Sequence, residues 1–333
     1  MNCSRSKLRY GISFKMATVF VTAILFSTIA MCGRAEAYPD RPITMIVPYA
    51  AGGTADLFGR LFAQYMSDAL GQQVIVEMKA GAGSMIGAQF VANAKPDGYT
   101  ILLGANSLTI NAAIMKLTFD PLQDLLPVAG LIGVPSVLVT SAASELRTLQ
   151  DVISASKHGH LTFGSSGPGT VSQMCGEFIK ERANIELEHI PYKGSGAVYS
   201  DLIAGRVSLL CDVSGSALGF IKSGSVRALG VTSKERLKSL PDVPTIAEQG
   251  FPGFEVLAWF GLFVPSGTPP QIVARLATAA VKVSHIQAFD DKVGQWGGVP
   301  LAKQSSVDFS HFYKAEAERY KSMVRKGTLK RLE

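Results

Sequence analysis

Cysteine is scarce in this 333-residue chain, charge is sparse and tryptophan is almost missing. There are four Cys and two Trp, and 17% of residues are charged against 47% hydrophobic. No C-x-x-C occurs, and among five scattered His the single close pair is His158-Gly-His160, on a polar Lys-His-Gly-His turn that reads as solvated, so a zinc or redox centre lacks a ligand set. There is no Gly-x-Ser-x-Gly elbow, no Gly-Lys-Ser/Thr after a glycine loop, and no loop with paired carboxylates. The common nucleophilic and phosphate-cradling signatures are therefore missing, which favours binding over catalysis. What is present, 33 Gly and 16 Pro in a chain nearly half apolar, suits a compact fold and excludes disorder, collagen and coiled coil.

A formal charge of +6 would suit a nucleic-acid binder if the charge were spread over the chain. It is not. Residues 1–37 hold Arg5, Lys7, Arg9, Lys15 and Arg34 against Glu36, leaving 27 basic and 25 acidic residues beyond them. Neither Trp259 nor Trp296 sits in a basic cluster, so no nucleic-acid partner is expected. The N-terminus has the parts of a targeting segment: a positive stretch to Lys15, an uncharged apolar run from Met16 to Met31, and Ala35-Glu36-Ala37 before Tyr38. We read 1–37 as a cleaved secretory signal and expect a periplasmic mature protein starting at Tyr38. An uncleaved anchor is the alternative, since the apolar run is close to the shortest bilayer span; a lipoprotein at Cys32 fits less well, because bulky Met31 precedes it.

The mature length predicts two domains. It keeps Cys175 and Cys211 in a compartment that permits disulfides, where they are either a bridge or two buried thiols. Short β-branched runs alternate with amphipathic stretches, as in βαβ units. Strands are expected at residues 43–48, 73–78, 99–104, 127–132, 136–140, 161–164, 187–190, 207–212, 228–232 and 254–263, and helices at 54–70, 84–94, 148–157, 170–183 and 195–204. After Pro265-Ser-Gly-Thr-Pro-Pro270 three helices are expected, near 271–284, 286–296 and 305–326, with no strand among them. Lacking strands of their own, they must dock on the first sheet. Thr148-x-x-Asp151 and Thr245-x-x-Glu248 read as capping boxes.

Three strand-to-helix junctions are rich in glycine: Ala50 to Asp56, Lys79 to Ser84 and Gly164 to Thr170. Glycine allows close approach to the backbone, and a helix start offers free N–H groups and positive potential, so three such ends point to a carboxylate or phosphate site. Gly-rich βα loops also arise from turn geometry alone. Gly81-x-Gly83-x-x-x-Gly87 has a dinucleotide-loop look, but the export signal and an upstream first βαβ unit speak against that use. Two strand ends are alike, Ile46-Val-Pro-Tyr49 and His189-Ile-Pro-Tyr192, as two lobes facing one cleft would require. Tyr49 and Tyr192 are read as covering a ligand there or packing at its rim.

Taken in order, Val47-Pro-Tyr-Ala-Ala-Gly-Gly-Thr-Ala-Asp56, Gly81-Ala-Gly-Ser-Met-Ile-Gly87, Pro96-Asp-Gly-Tyr-Thr100, Pro191-Tyr-Lys-Gly194, Leu240-Pro-Asp-Val-Pro-Thr245 and Trp259-Phe-Gly with Pro265-Ser-Gly-Thr268 resemble the Bug family. These are extracytoplasmic solute receptors of tripartite tricarboxylate transporters, and the resemblance spans nearly all of the mature chain. It implies an α/β periplasmic binding protein of type II, a Venus flytrap whose lobes are 38–141 plus 259–333 and 142–258. It implies a small carboxylate ligand (di- or tricarboxylate, amino acid or aromatic), no cofactor and no enzyme activity, a monomer, and membrane permease subunits as partners. The ligand residues it implies are Tyr49, Ala51, Gly53, Thr54, Asp56, Gly83, Ser84, Asn106, Ser107, Ser165, Gly167, Thr170, Tyr192 and Asp212. The chain departs from the family pattern at Ser172-Gln173, commonly Ser-His, and at Ala105-Asn-Ser-Leu-Thr109, commonly ending in His. Both lie near the cleft, so the ligand's identity stays open. The competing readings are an exported enzyme acting on a small anion and a receptor that signals without transport.

Overall fold

The computed structural model describes residues 38–301, 306–327 and 329–332. The expected signal segment lies outside them. Of residues 38–40, Tyr38 and Pro39 are joined by a cis peptide; Arg41 to Glu333 form a separate body.

That body begins with β1 (Ile43–Val47), four of whose five residues are buried, followed by α1 (Thr54–Leu70). In α1, Phe58, Phe62, Met66 and Leu70 recur every fourth residue and are buried, while Leu57 is 43% exposed. Gly71 ends the helix in the left-handed region, its N–H on the Ser67 carbonyl. β2 (Val74–Met78), a 3-10 turn at Ala82–Ser84, α2 (Met85–Ala92) and β3 (Thr100–Ala105) complete an alternation in which β1 pairs in parallel with both β2 and β3. Next comes α3 (Ser107–Ile114), which the sequence reading missed.

β4 (Leu125–Ser141) is one strand of 17 residues where two shorter ones were expected. Its first part pairs antiparallel with β9 (Leu257–Pro265), as far as Pro135 opposite Leu257. From Ser136 it pairs instead with β7 (Leu209–Val213), and from Val137 with β8 (Val226–Val231). Pro135 therefore sits where the strand changes partners, a place where its missing N–H breaks no ladder that continues. The first sheet runs β2-β1-β3-β9-β4; the second continues β4-β7-β5-β6, with β5 at Thr162–Ser165 and β6 at Glu188–Pro191. This is a two-lobed periplasmic binding protein fold with mixed sheets.

Helices α4 (Leu149–Ser156), α5 (Val171–Ala183), α6 (Ser195–Ile203) and α7 (Ser214–Lys222) flank the second sheet. Both capping boxes form: Thr148 accepts from the Asp151 N–H and Asp151 from the Thr148 N–H, with the same reciprocal pair at Thr245 and Glu248. The terminal helices are α8 (Pro270–Ser284), α9 (Gln287–Gln295) and α10 (Ser306–Arg325). They are not free of strands, because β10 (Val299–Pro300) pairs with β4 at Ile132 and Gly133. Phe309 and Tyr313 of α10 pack on Phe263 and Trp259 in the first sheet. In the second sheet Cys175 of α5 is bonded to Cys211 of β7, both fully buried, with Cα atoms 6.1 Å apart.

Candidate functional site

Four helices start at one cavity. Gly53, Thr54 and Ala55 open α1, Asn106 and Ser107 open α3, Thr170 and Val171 open α5, and Gly194 and Ser195 open α6; all line the same space of about 500 Å³, its open mouth included. Each follows a strand of its own sheet, so the ends of β1 and β3 face those of β5 and β6. First-turn N–H groups have no partner within their helix, and each end carries about half a positive charge, so four positive helix ends face the cavity. Among its described lining residues there is no Lys or Arg.

On the first-lobe side, Tyr49 lines the wall with its hydroxyl 2.8 Å from the Ser107 hydroxyl, which is 2.5 Å from that of Ser84. Burial raises the Tyr49 pKa, opposed by these hydrogen bonds, so the phenol is neutral and able to donate. Asn106 lines the cavity but its amide is committed to the backbone: it donates to the Leu257 carbonyl and accepts from the Trp259 N–H, tying α3 to β9. The Thr54 hydroxyl reaches across to the second lobe. It accepts the Ser216 N–H at 2.9 Å and lies 3.2 Å from the Ser216 hydroxyl.

Asp212, at the end of β7, is buried in the opposite wall. Ser195, Tyr199 and Ser216 donate hydroxyl hydrogens to its carboxylate. Burial raises its pKa and those three donors pull it back. With its lone pairs taken by protein donors, Asp212 braces α6 and α7 rather than offering free acceptors to a ligand.

Of the residues expected at the site, Tyr49, Gly53, Thr54, Asn106, Ser107, Thr170 and Asp212 line the cavity. The others stand around it. Ala51 is exposed; Asp56 turns away to Arg60 at 2.6 Å and holds the Gly52 N–H. Ser84 acts through Ser107. Ser165 is pinned under the loop by the Gly167 N–H and His189 Nε2, at 3.1 and 2.6 Å. Tyr192 points outward, its hydroxyl on Asp201 at 2.6 Å and its pKa pushed up to about 12 by desolvation and that carboxylate. Gly53, expected as the close-approach glycine, has an ordinary extended φ of −92°, and a Cβ there would lie 3.8 Å from Ser195, a normal contact.

The close approach occurs elsewhere. Gly83 (φ +59°) nests against the second lobe so tightly that a Cβ would lie 1.9 Å from the Pro168 carbonyl oxygen. At Gly169 (φ +64°) a Cβ would lie 1.6 Å from Asn111 Oδ1. Ala82 and Ser84 share the left-handed region with Gly83, held there by the Asn111 amide on the Gly83 carbonyl and by Ser107 on Ser84. The lobes thus meet along a glycine seam beside the cavity.

Ser195, Ser166 and Phe260 also line the cavity and were not singled out from the sequence. Gly194-Ser195 was legible: it is a fourth glycine-and-hydroxyl helix start after a strand. The start of α3 was legible too, since Asn106-Ser107 follows an apolar strand and precedes Leu108 and Ile110.

Known proteins agree with this geometry. The family model described as tripartite tricarboxylate transporter family receptor matches residues 58–329. The structure of the periplasmic binding protein BugD superposes with a TM-score of 0.85 at 31% identity, covering 89% of this chain and 100% of that one. A Rhodopseudomonas palustris protein solved with adipate gives 0.84 at 30% identity (89% and 100% covered). MatC from the same organism, with bound malate, gives 0.81 at 31% identity (86% and 100%). A strand-end cavity framed by four helix starts, on a fold shared over this length, leads to one assignment: the chain belongs to the tripartite tricarboxylate transporter receptor family, of the Bug kind, and is a solute-binding receptor rather than an enzyme.

Proposed function

We propose that this receptor captures a small carboxylate between its lobes in the periplasm and hands it to the membrane permease subunits of a tripartite transporter. The observation that carries this reading is the convergence of four helix N-termini, two from each lobe, on a cavity with no basic side chain among its described lining residues. A carboxylate there accepts N–H bonds at Thr54 and Ala55 from one side and at Val171 and Ser195 from the other, so neither lobe alone completes the site. Charge-assisted bonds of this kind contribute about 1.5–3 kcal/mol each, and two or three of them, after ordering costs, match an affinity near the micromolar level. The closed arrangement binds with contacts the open one lacks, and that difference is what drives closure.

Adipate and malate in the two R. palustris relatives support a dicarboxylate, with one carboxylate at each pair of helix starts. The protein acts as a monomer, cleaved after Ala37, with lobes 38–141 plus 259–333 and 142–258; the change of partners along β4 at Pro135–Ser136, and β9 beside it, support hinges there. Titration calorimetry of the mature protein against malate, adipate, amino acids and aromatic carboxylates should give one-to-one binding of one class near micromolar Kd. Heat from turnover, or no binding across the panel, would reject the reading.

A further inference from the structure

The two lobes also touch away from the cavity. Met174 and Phe178, on one side of α5, pack with Ile110, Ala113 and Ile114 of α3 and with Tyr320 and Leu329. The chain end holds this cluster together: the Leu332 N–H bonds the Ile114 carbonyl at 2.8 Å and the Leu329 N–H bonds the Met323 carbonyl at 3.2 Å. Leu329, Met174 and Ile114 are nearly inaccessible, at 7%, 1% and 2% exposure.

The helices joined here are the ones whose first residues meet across the ligand cavity. α3 presents Asn106 and Ser107 from the first lobe, α5 presents Thr170 and Val171 from the second, and each runs away from the cavity toward the cluster. Fixing the flanks of two helices fixes the separation of their starts, because a helix is stiff over eight to thirteen residues. Gln173 adds to this: its side-chain oxygen holds the Gly169 N–H at 2.7 Å, so the glycine seam moves with the same turn of α5 that carries Met174. The packing is not solid throughout. A recess of about 1,260 Å³, open solvent included, lies between α5 and the chain end, lined by Glu177, Lys180, Leu329 and Lys330 among others. The apolar cluster spans the lobes beside this recess, where Lys330 of the chain end also acts electrostatically on Glu177 of α5.

We propose that Leu329 and Leu332, together with Met174, are positioning residues for ligand capture: the chain end clasps α5 onto α3 and so sets the distance between the helix starts that grip the anion. The proposal rests on the binding reading above and deepens it. Truncating the clasp shifts the lobes toward the open arrangement, and apparent affinity falls by the lost fraction of closed protein.

The test uses the mature chain with Leu329→Ala plus Leu332→Ala and, separately, Met174→Ala. Binding of the carboxylate that the wild type takes up best is measured by calorimetry, and radius of gyration by small-angle scattering without ligand. Both variants should bind about tenfold more weakly and scatter as a more expanded particle, with unchanged far-ultraviolet circular dichroism. Affinities within about twofold of wild type, with only a lower Tm, would overturn the proposal by making the cluster merely structural. If the wild type binds none of the carboxylates, the binding reading fails by itself; the scattering comparison still decides the clasp, and equal radii for wild type and variants would overturn it.

Discussion

Tyr49 and Tyr192 follow the same Ile-x-Pro or Ile-Pro ending of two parallel strands, one in each lobe, and their fates differ. Tyr49 is turned into the cavity and bonded to Ser107, whereas Tyr192 is turned out to Asp201. The backbones stay equivalent: five residues beyond Tyr49 stands Thr54, three beyond Tyr192 stands Ser195, and both open helices at the cavity. What the two lobes share is the helix start at the strand exit, the part that offers N–H groups. The proposed grip of main-chain N–H groups on the ligand leaves their side chains free to diverge, and the second lobe carries the Asp212 brace.

The sharpest way to break the comparison is at the glycine seam. Gly83→Ala puts a Cβ 1.9 Å from the backbone carbonyl oxygen of Pro168 in the second lobe, a clash no side-chain rotation relieves, so carboxylate affinity should fall about 100-fold or more. Gly53→Ala, with an ordinary φ and room at 3.8 Å, should bind within about threefold of wild type. Calorimetry on the pair decides; similar losses for both would show that the seam is not closed in the bound protein.

The lobes also differ covalently, since the described disulfide lies in the second. Replacing Cys175 and Cys211 by Ala should cost about 3–4 kcal/mol for a loop of 36 residues and lower Tm by roughly 10 °C. A Tm unchanged in scanning calorimetry would mean that packing of α5 on β7 suffices without the bond.

A smaller effect separates the tyrosines themselves. Tyr49→Phe removes one hydroxyl at the cavity wall and should weaken binding about fivefold, while Tyr192→Phe should leave Kd unaltered. The reverse order would mean that Tyr192 swings inward in the complex.

The smallest expected effect concerns acid. Three residues before Tyr49 stands buried Ile46; three before Tyr192 stands His189, stacked on Phe163 and bonded to Ser165. Burial lowers the His189 pKa from 6.5 to about 4, so the folded protein keeps it neutral where the unfolded chain takes up a proton. Its contribution is fully present above pH 6.5 and is lost as pH falls toward 4. His189→Gln should flatten the fall of Tm over that window, measured by differential scanning fluorimetry; identical pH profiles would remove His189 from the account.

The reading from sequence and the molecule agree most closely where rules are local. The fourfold spacing of Phe58, Phe62 and Met66, the reciprocal caps at Thr148 and Thr245, and the glycine-and-hydroxyl helix starts each involve residues within one or two turns. Their outcome follows from backbone geometry that neighbours in the chain already determine, and so the alternation of strands and helices was legible, along with the helix starts that line the cavity. The two strands expected at 127–132 and 136–140 are one, since the chain runs extended through Pro135 and changes sheets there. Which glycines leave no room for a Cβ, Gly83 and Gly169 rather than Gly53, was decided by Pro168 and Asn111, each some 60 to 85 residues away in the chain. The inward turn of Tyr49, the outward turn of Tyr192, the burial of Asp212 among three hydroxyls and the meeting of the chain end with α5 are contacts between distant segments. No short-range propensity encodes them, because they depend on how two finished lobes fit together, and only the tertiary structure settles that fit.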